Sequence, residues 1–290
     1  MVNRVSGQDD AVISRFAPSP TGRLHRGHAV AAVLAHDRAR AAGGRFLLRI
    51  EDIDPGRTRE AFVEGIVADL AWLGLAWDGP VLRQSTRLPA YRAALARLRA
   101  MGLLYACFCS RADIAAAASA PHGPEGSVYP GTCRGLADDP ARRAAAPHAW
   151  RLDMRRALAL AGPLAWHDSR AGLVEAAPAP FGDVVLARKD APAAYHLAVT
   201  IDDGFQGVTD VVRGVDLFAA THVHRLLQAL LGLPTPLYHH HGLMRGPDGR
   251  RLAKRDGAPA LAALRAAGVA PAALLAEIRA EAARLAAAPG

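Results

Sequence analysis

Two histidines three residues apart, at the mouth of a helix, are the first chemistry this chain offers. The segment Arg15-Phe16-Ala17-Pro18-Ser19-Pro20-Thr21-Gly22-Arg23-Leu24-His25-Arg26-Gly27-His28 runs from a short apolar stretch through a Pro- and Gly-containing loop into an Ala-rich helix. A strand, a loop and a helix N-terminus together make an anion site, because free backbone amides and the helix dipole both favour phosphate. Residues three apart share one helix face, so His25 and His28 could both reach a triphosphate. The segment lacks the Gly-Lys-Ser/Thr ending of a Walker loop and is not a G-x-G-x-x-G dinucleotide fingerprint. A second cluster, Cys107-x-Cys109 followed by Tyr129 and Cys133, offers three thiolates and leaves one place open in a tetrahedral zinc site. By spacing alone His122 is the conventional fourth ligand, and a tyrosine phenolate is an uncommon one. A third feature is Lys254, one of two lysines against 33 arginines, the other being Lys189. A lysine supplies a compact, mobile ammonium that a guanidinium cannot imitate. Lys189, in Arg188-Lys189-Asp190, reads as a solvated loop residue. The run His239-His240-His241 falls in a strand-like stretch, where alternate side chains point to opposite faces, so three cannot converge on one ion.

These residues need elements to hold them. Val12 to Ala17 reads as a short buried strand stopped by Pro18 and Pro20. A helix over Ala29 to Ala42 closes at Gly43-Gly44, and Arg45 to Ile50 is a second strand. A helix over Ala61 to Leu73, a strand at Val81 to Gln84 and a helix from Pro89 to Met101 follow. This alternation predicts a doubly wound parallel sheet covered by helices. The rhythm breaks after Leu104, and residues 105–190 hold every cysteine, many prolines and no clear repeat, which reads as an α+β insertion. Alternation resumes at Tyr195 to Ile201, then Val208 to Val212, a helix from Leu217 to Leu231 and a strand near Leu237 to His241. Two Ala/Leu helices, about 258–267 and 271–287, finish the chain. The expected organisation is a nucleotide-binding half over 1–104, the zinc-bearing insertion over 105–190, a second half over 191–242, and a loop with a small C-terminal helical region over 243–290.

The chain has 290 residues, 51% of them hydrophobic and 21% charged, which is ordinary globular composition. No run approaches the roughly 18 to 20 apolar residues of a membrane span, and Met1 to Asp10 lacks the apolar stretch of a signal peptide. Three cysteines gathered in one quarter of the sequence argue against a disulfide framework and for a cytoplasmic protein with a metal or free thiols. A net charge of +8 favours a polyanionic partner such as nucleic acid.

The complete first segment resembles the His-Ile-Gly-His signature of class I aminoacyl-tRNA synthetases, with Arg26 in the Ile position. Its Arg-Phe-Ala-Pro-Ser-Pro-Thr-Gly start is similar to the glutamyl and glutaminyl branch. Three further stretches carry the same resemblance: Arg49-Ile50-Glu51-Asp52-Ile53-Asp54, Gln206-Gly207-Val208-Thr209-Asp210-Val211-Val212-Arg213-Gly214, and Arg251-Leu252-Ala253-Lys254-Arg255. The last resembles the Lys-Met-Ser-Lys-Ser loop, with Ala253 and Arg255 where the family has serines. The blocks occur in family order from about residue 13 to 257. The short chain and the cysteine cluster look most like the branch that glutamylates queuosine in tRNA(Asp).

That resemblance implies a Rossmann-like fold and an enzyme that uses ATP to activate L-glutamate as an adenylate. It implies that His25, His28 and Lys254 handle the phosphates, Lys254 from a mobile loop. Arg15 and Arg213 would face the carboxylates of glutamate, Glu51 would receive its ammonium, and Tyr195 would add a hydroxyl contact. Ala17, Pro18 and Ser19 would line the same loop, while Asp52 and Asp54 read as structural. It also makes Tyr129 the fourth ligand of one structural zinc, beside Cys107, Cys109 and Cys133. Magnesium is expected with ATP. The expected partners are ATP, L-glutamate and tRNA(Asp), with no membrane and no protein partner inferred. A glutamyl-tRNA synthetase core charging a 3′ end and a non-catalytic RNA-binding paralogue are the alternatives. Only 35 residues follow Arg255, fewer than the roughly 50 of a small domain, which favours the anticodon loop itself as the acceptor.

Overall fold

Strands and helices alternate into one central sheet with helices on both faces in the computed structural model, which describes residues 11–116, 122–123, 126–244 and 259–287. In chain order, β1 (Ile13–Phe16) leads to α1 (Arg26–Ala41), β2 (Arg45–Ile50), α2 (Glu60–Trp72), β3 (Leu82–Arg83) and α3 (Leu88–Ala100). Next come β4 (Leu104–Cys107), α4 (Arg111–Ala116), β5 (His122–Gly123), β6 (Gly126–Ser127), α5 (Pro140–Ala145), β7 (Ala149–Leu152) and α6 (Met154–Ala161). A hairpin of β8 (Ala165–Asp168) and β9 (Gly172–Glu175) precedes β10 (Val185–Ala187). The last third holds α7 (Tyr195–Phe205), β11 (Asp210–Gly214), α8 (Ala220–Leu231), β12 (Leu237–His241), α9 (Leu261–Ala266) and α10 (Pro271–Ala287).

The main sheet runs β3-β2-β1-β11-β12-β8-β9, and every neighbouring pair is parallel except β8–β9. Strand order reverses beside β1, whose neighbours are β2 and β11. The carboxyl ends of strands at such a switch point open the crevice where α/β proteins bind ligands. Parallel strands covered on both faces are largely buried, and on β2 the face toward α1 is wholly apolar, with Phe46, Leu48 and Ile50 fully buried. Those side chains join Val30 and Val33 of α1, Leu70 of α2 and Ile278 of α10 in one core. On the opposite face, Tyr91 and Leu98 of α3, Leu197 of α7 and Leu226 of α8 form a second core. The turn from α1 into β2 needs glycine twice: Gly43 has a φ of +62°, and a Cβ on Gly44 would lie 1.9 Å from the Val12 carbonyl oxygen.

The alternation resumes with the helix α7, Tyr195–Phe205, followed by β11. Within residues 105–190, β4, β7 and β10 make a small antiparallel sheet, whereas the β8–β9 hairpin extends the main one through the pair Tyr238↔Asp168. Apolar burial explains that return, since Trp166 of β8 is enclosed with Val211 and Tyr238. Among the described residues no helix is long and apolar enough to cross a membrane.

Candidate functional site

A cavity of about 440 Å³ opens at the carboxyl ends of β1, β2 and β11. Its wall includes Arg15, Ala17, Pro18, Ser19, His25, His28, Glu51, Tyr195 and Arg213, so every described residue named from sequence for ATP or glutamate lies around one space. Lys254 and its loop lie outside the described residues.

At the mouth of α1 the two histidines cap the helix reciprocally. His25 is the N-cap residue, its Nδ1 accepting from Gly27 N at 3.1 Å, while Nδ1 of His28 accepts from His25 N at 3.2 Å. This is a capping box made of imidazoles rather than Ser and Glu. Because each Nδ1 accepts, the proton of each neutral ring sits on Nε2. Gly27 matters to the arrangement, since a Cβ there would lie 3.0 Å from Cε1 of His25.

Beneath the opposite wall lies a buried layer of charge, set by strand alternation. Ser14 and Phe16 face α1, so Arg15 points to the other side, as do Arg49 and Arg213. Arg15 Nε donates to Asp203 Oδ1 at 2.9 Å, and Arg49 donates to the same oxygen at 2.8 Å. Arg49 also approaches Glu51 Oε1 at 3.4 Å. Burial would raise the Asp203 carboxyl, but the guanidiniums of Arg15 and Arg49 outweigh it and hold the group below the usual range. For Glu51 burial prevails, pushing its carboxyl up against the pull of Arg49 and Arg15.

Arg213 is different. It is 6% exposed and donates to His240 Nε2 (3.1 Å), Tyr195 Oη (3.2 Å), His224 Nδ1 (3.3 Å) and Thr221 Oγ1 (2.6 Å). Among the described residues no carboxylate pairs with it. Burial, then the charge of Arg213, keeps both histidines unprotonated: His224 lies well below its ordinary pKa and His240 falls to about 4. Arg15 and Arg49 have Asp203 and Glu51 as direct ionic partners, whereas Arg213 is linked to a carboxylate, Asp168, through His240.

Sequence reasoning missed Arg49, Asp203, Asp168, Thr221, His224 and the part His240 plays. The available signal was the pair Asp202-Asp203 inside an otherwise apolar helix. Asp202 accepts from Tyr91 Oη at 2.6 Å, while Asp203 turns to the sheet. The histidine run alternates as expected: His239 pairs with Asp210 at 2.9 Å and His240 with Asp168 at 2.8 Å, on opposite faces. Asp52 accepts from Arg83 and Ser85, and Asp54 accepts from Arg188. Lys189 is exposed but not merely solvated, since its ammonium donates to the Phe108 carbonyl at 2.7 Å.

That carbonyl belongs to the cysteine turn. The Sγ atoms of Cys107, Cys109 and Cys133 lie within 4.8 Å of one another, a set that could hold a metal ion. Tyr129 Oη sits 3.4 Å from Cys107 Sγ and 3.5 Å from Cys109 Sγ, and Cys109 and Cys133 are 3.6 Å apart. A tetrahedron with metal–sulfur bonds of ~2.3 Å and a metal–oxygen bond of ~2.0 Å has edges of roughly 3.8 Å and 3.5 Å, so the donor set fits. The backbone of His122 lies in β5.

The catalytic-domain model of the class I tRNA synthetases (E and Q) matches residues 11–285. The chain is 55% identical over 273 residues to a glutamyl-Q tRNA(Asp) synthetase of Rhodobacter capsulatus, covering 90% of this chain and 97% of that one. Identity to the protein of that name in Symbiobacterium thermophilum is 50%, over 89% of this chain and 82% of that one. Among solved structures, a glutamate tRNA ligase from Elizabethkingia meningosepticum, in complex with its amino acid, aligns with a TM-score of 0.73 and 28% identity. That match covers 86% of this chain and 53% of the other, so this chain spans about half its length.

Proposed function

The chain belongs to the catalytic-domain family of the class I tRNA synthetases for glutamate and glutamine, and from that membership we propose that it activates L-glutamate with ATP and transfers it to queuosine in the anticodon loop of tRNA(Asp). An oxygen of the glutamate α-carboxylate would attack the α-phosphorus in line. The new P–O bond forms as the bond to the bridging oxygen breaks, and pyrophosphate leaves with the electron pair. A hydroxyl of the acceptor would then attack the acyl carbon, AMP leaving and the hydroxyl proton passing to solvent. Neither step needs a covalent protein nucleophile. The work left to the chain is positioning and stabilising charge.

The observation that carries the glutamate reading is Arg213, a buried guanidinium whose direct partners among the described residues are neutral acceptors. Glutamate carries two carboxylates and one ammonium, groups that suit arginines and a carboxylate respectively. Its ammonium would meet Glu51, and Arg15 and Arg213 would face its carboxylates. His25 and His28 would donate from Nε2 to the phosphates at the α1 N-terminus, and Lys254 would reach the leaving pyrophosphate. Magnesium, entering with ATP, would supply charge neutralisation at the phosphates. Cys107, Cys109, Cys133 and Tyr129 would hold a structural zinc, and a four-ligand site leaves no position for chemistry. The queuosine acceptor is supported by the names of the relatives, and a splayed single-stranded loop suits recognition by stacking and edge contacts.

Two measurements test this. Exchange of labelled pyrophosphate into ATP should require glutamate and proceed poorly with glutamine, whose amide leaves Arg213 unneutralised at a cost on the order of 2–5 kcal/mol. Comparable exchange with glutamine would sink the substrate assignment. For the acceptor, labelled glutamate is supplied to tRNA(Asp) whose 3′ adenosine was oxidised by periodate while the queuosine hydroxyls were protected. Label should persist there and be absent from tRNA(Asp) lacking queuosine; the reverse pattern means an ordinary 3′ ester.

A further inference from the structure

Arg15 and Arg213 project from adjacent strands into the same buried layer, yet the chain treats their charges in opposite ways. Asp203 grips Arg15 through two oxygens, at 2.9 and 3.4 Å. Among the described residues, the hydrogen-bond partners of Arg213 are all neutral atoms. A carboxylate in any of those places would have oriented it with a stronger, charge-assisted bond. We propose that Thr221, His224 and His240, held in place by Asp168 and His196, form a cradle of uncharged contacts that orients Arg213 while leaving it without a direct ionic partner, free to meet the substrate's non-reacting carboxylate. The proposal deepens the glutamate reading above and rests on it.

The hydrogen bonds settle the tautomers. A guanidinium only donates, so the ring nitrogens facing it must be bare. His240 therefore carries its proton on Nδ1, which donates to Asp168 Oδ2 at 2.8 Å. His224 carries its proton on Nε2, 3.1 Å from Nδ1 of His196, which accepts. Each ring is thus held in the accepting form by a partner on its far side. Asp168 is itself fixed, since its Oδ1 accepts from the backbone N–H groups of Arg170 and Ala171 in the β8–β9 turn. A proton added to either ring nitrogen facing Arg213 would set two donors against each other. Burial opposes that protonation in both rings.

Thr221, His224 and His240 do not line the cavity, whereas Arg213 and Tyr195 do. They are positioning residues, acting through Arg213. The cradle is built on α7, α8, β12 and the β8–β9 hairpin, on the face of the sheet opposite α1, whose N-terminus carries His25 and His28. The reacting carboxylate must lie by the phosphates at α1, so the carboxylate that reaches Arg213 is the side-chain one. On this account the cradle sets the preference for an acid over its amide.

The test compares Thr221→Asp with Thr221→Asn, two substitutions of equal size that differ in one charge beside a nitrogen 2.6 Å away. Calorimetry on the full chain without ATP reads glutamate and glutamine affinity, and pyrophosphate exchange reads kcat separately. Glutamate should bind the Asp variant about 10²-fold more weakly than the Asn variant, the size of one charge-assisted contact. Glutamine affinity should differ between them by no more than about 3-fold, and kcat should change less than affinity. Unfolding midpoints of both variants check that each folds; should Thr221→Asp not fold, His240→Glu against His240→Gln repeats the comparison. Equal glutamate affinity within the pair overturns the inference and leaves the adenylation reading standing. A wild-type chain that binds glutamate without exchanging pyrophosphate sinks the adenylation reading and leaves this test intact. Absence of glutamate binding to the wild type overturns the inference.

Discussion

Asp203→Asn is the sharpest single perturbation of the buried charge layer. Asp203 is shared by two guanidiniums, Arg15 at 2.9 Å and Arg49 at 2.8 Å, and Arg49 is completely buried. The amide keeps the shape and removes the charge. Arg49 is then left with Gln206 at 2.9 Å and the longer approach to Glu51 at 3.4 Å. Breaking a buried pair by removing one partner costs about 3–5 kcal/mol, because the other charge stays buried. For a chain of this size that lowers Tm by on the order of 10 °C. The folded pKa of Asp203 is depressed, so its contribution is complete above the unfolded carboxylate value of 3.8 and fades as pH falls through the lower folded value. The gap between wild type and variant should therefore be full at pH 7 and shrink in acid. Unfolding in urea, repeated in an Arg49→Met background, measures both effects. There the Asp203→Asn cost should fall by about 1 kcal/mol or more, because the two residues are coupled. A gap below about 1 kcal/mol at pH 7, or strict additivity, would refute the reasoning.

Three further outcomes are expected. Lys254→Ala should lower the adenylation rate by about 10²-fold while changing ATP affinity less, since a charge on the leaving pyrophosphate acts on the transition state; an unchanged turnover number would remove Lys254 from the mechanism. Elemental analysis should find one zinc per chain, with occupancy reduced in Tyr129→Phe; full occupancy there combined with loss in His122→Ala would reassign the fourth ligand. His240 has a folded pKa of about 4 against an ordinary 6.5, so the unfolded chain binds protons more readily and stability should fall between about pH 6.5 and 4. His240→Gln should flatten that slope, and an identical pH profile would show that His240 is not the group responsible.

Local signals carried most of the fold. Proline and glycine punctuation marks β1 and the end of α1, β2 spans Arg45–Ile50 as expected, and α10 spans Pro271–Ala287 as expected. The β8–β9 hairpin was not legible. Ala165-Trp166-His167-Asp168 is four residues with no apolar run, and its sheet partner Tyr238 lies 70 positions later. What returns it to the main sheet is the enclosure of Trp166 beside Tyr238 and Phe218, with ring centroids 5.3 and 4.9 Å apart. Nothing within a short window encodes that packing. The site divides in the same way: most cavity-lining contacts inside motif blocks could be named from the sequence, whereas Asp203 and Asp168, outside those blocks, could not.

That division bears on how the chain would discriminate among amino acids. Sequence offers two arginines, Arg15 and Arg213, as equivalent partners for two carboxylates. In the fold they are not equivalent, because Asp203, 188 residues from Arg15, has already answered one of the charges. Arg15 can still donate, but it does so from a pair, and a neutralised guanidinium attracts an acid and its amide with less distinction. Arg213 keeps the distinction because Thr221, His224 and His240 offer lone pairs without charge. The Asp168 that fixes His240 comes from the very hairpin that local sequence could not place. Selectivity for an acidic side chain thus depends on which arginine the chain leaves unanswered, a choice written in residues that never touch the cavity.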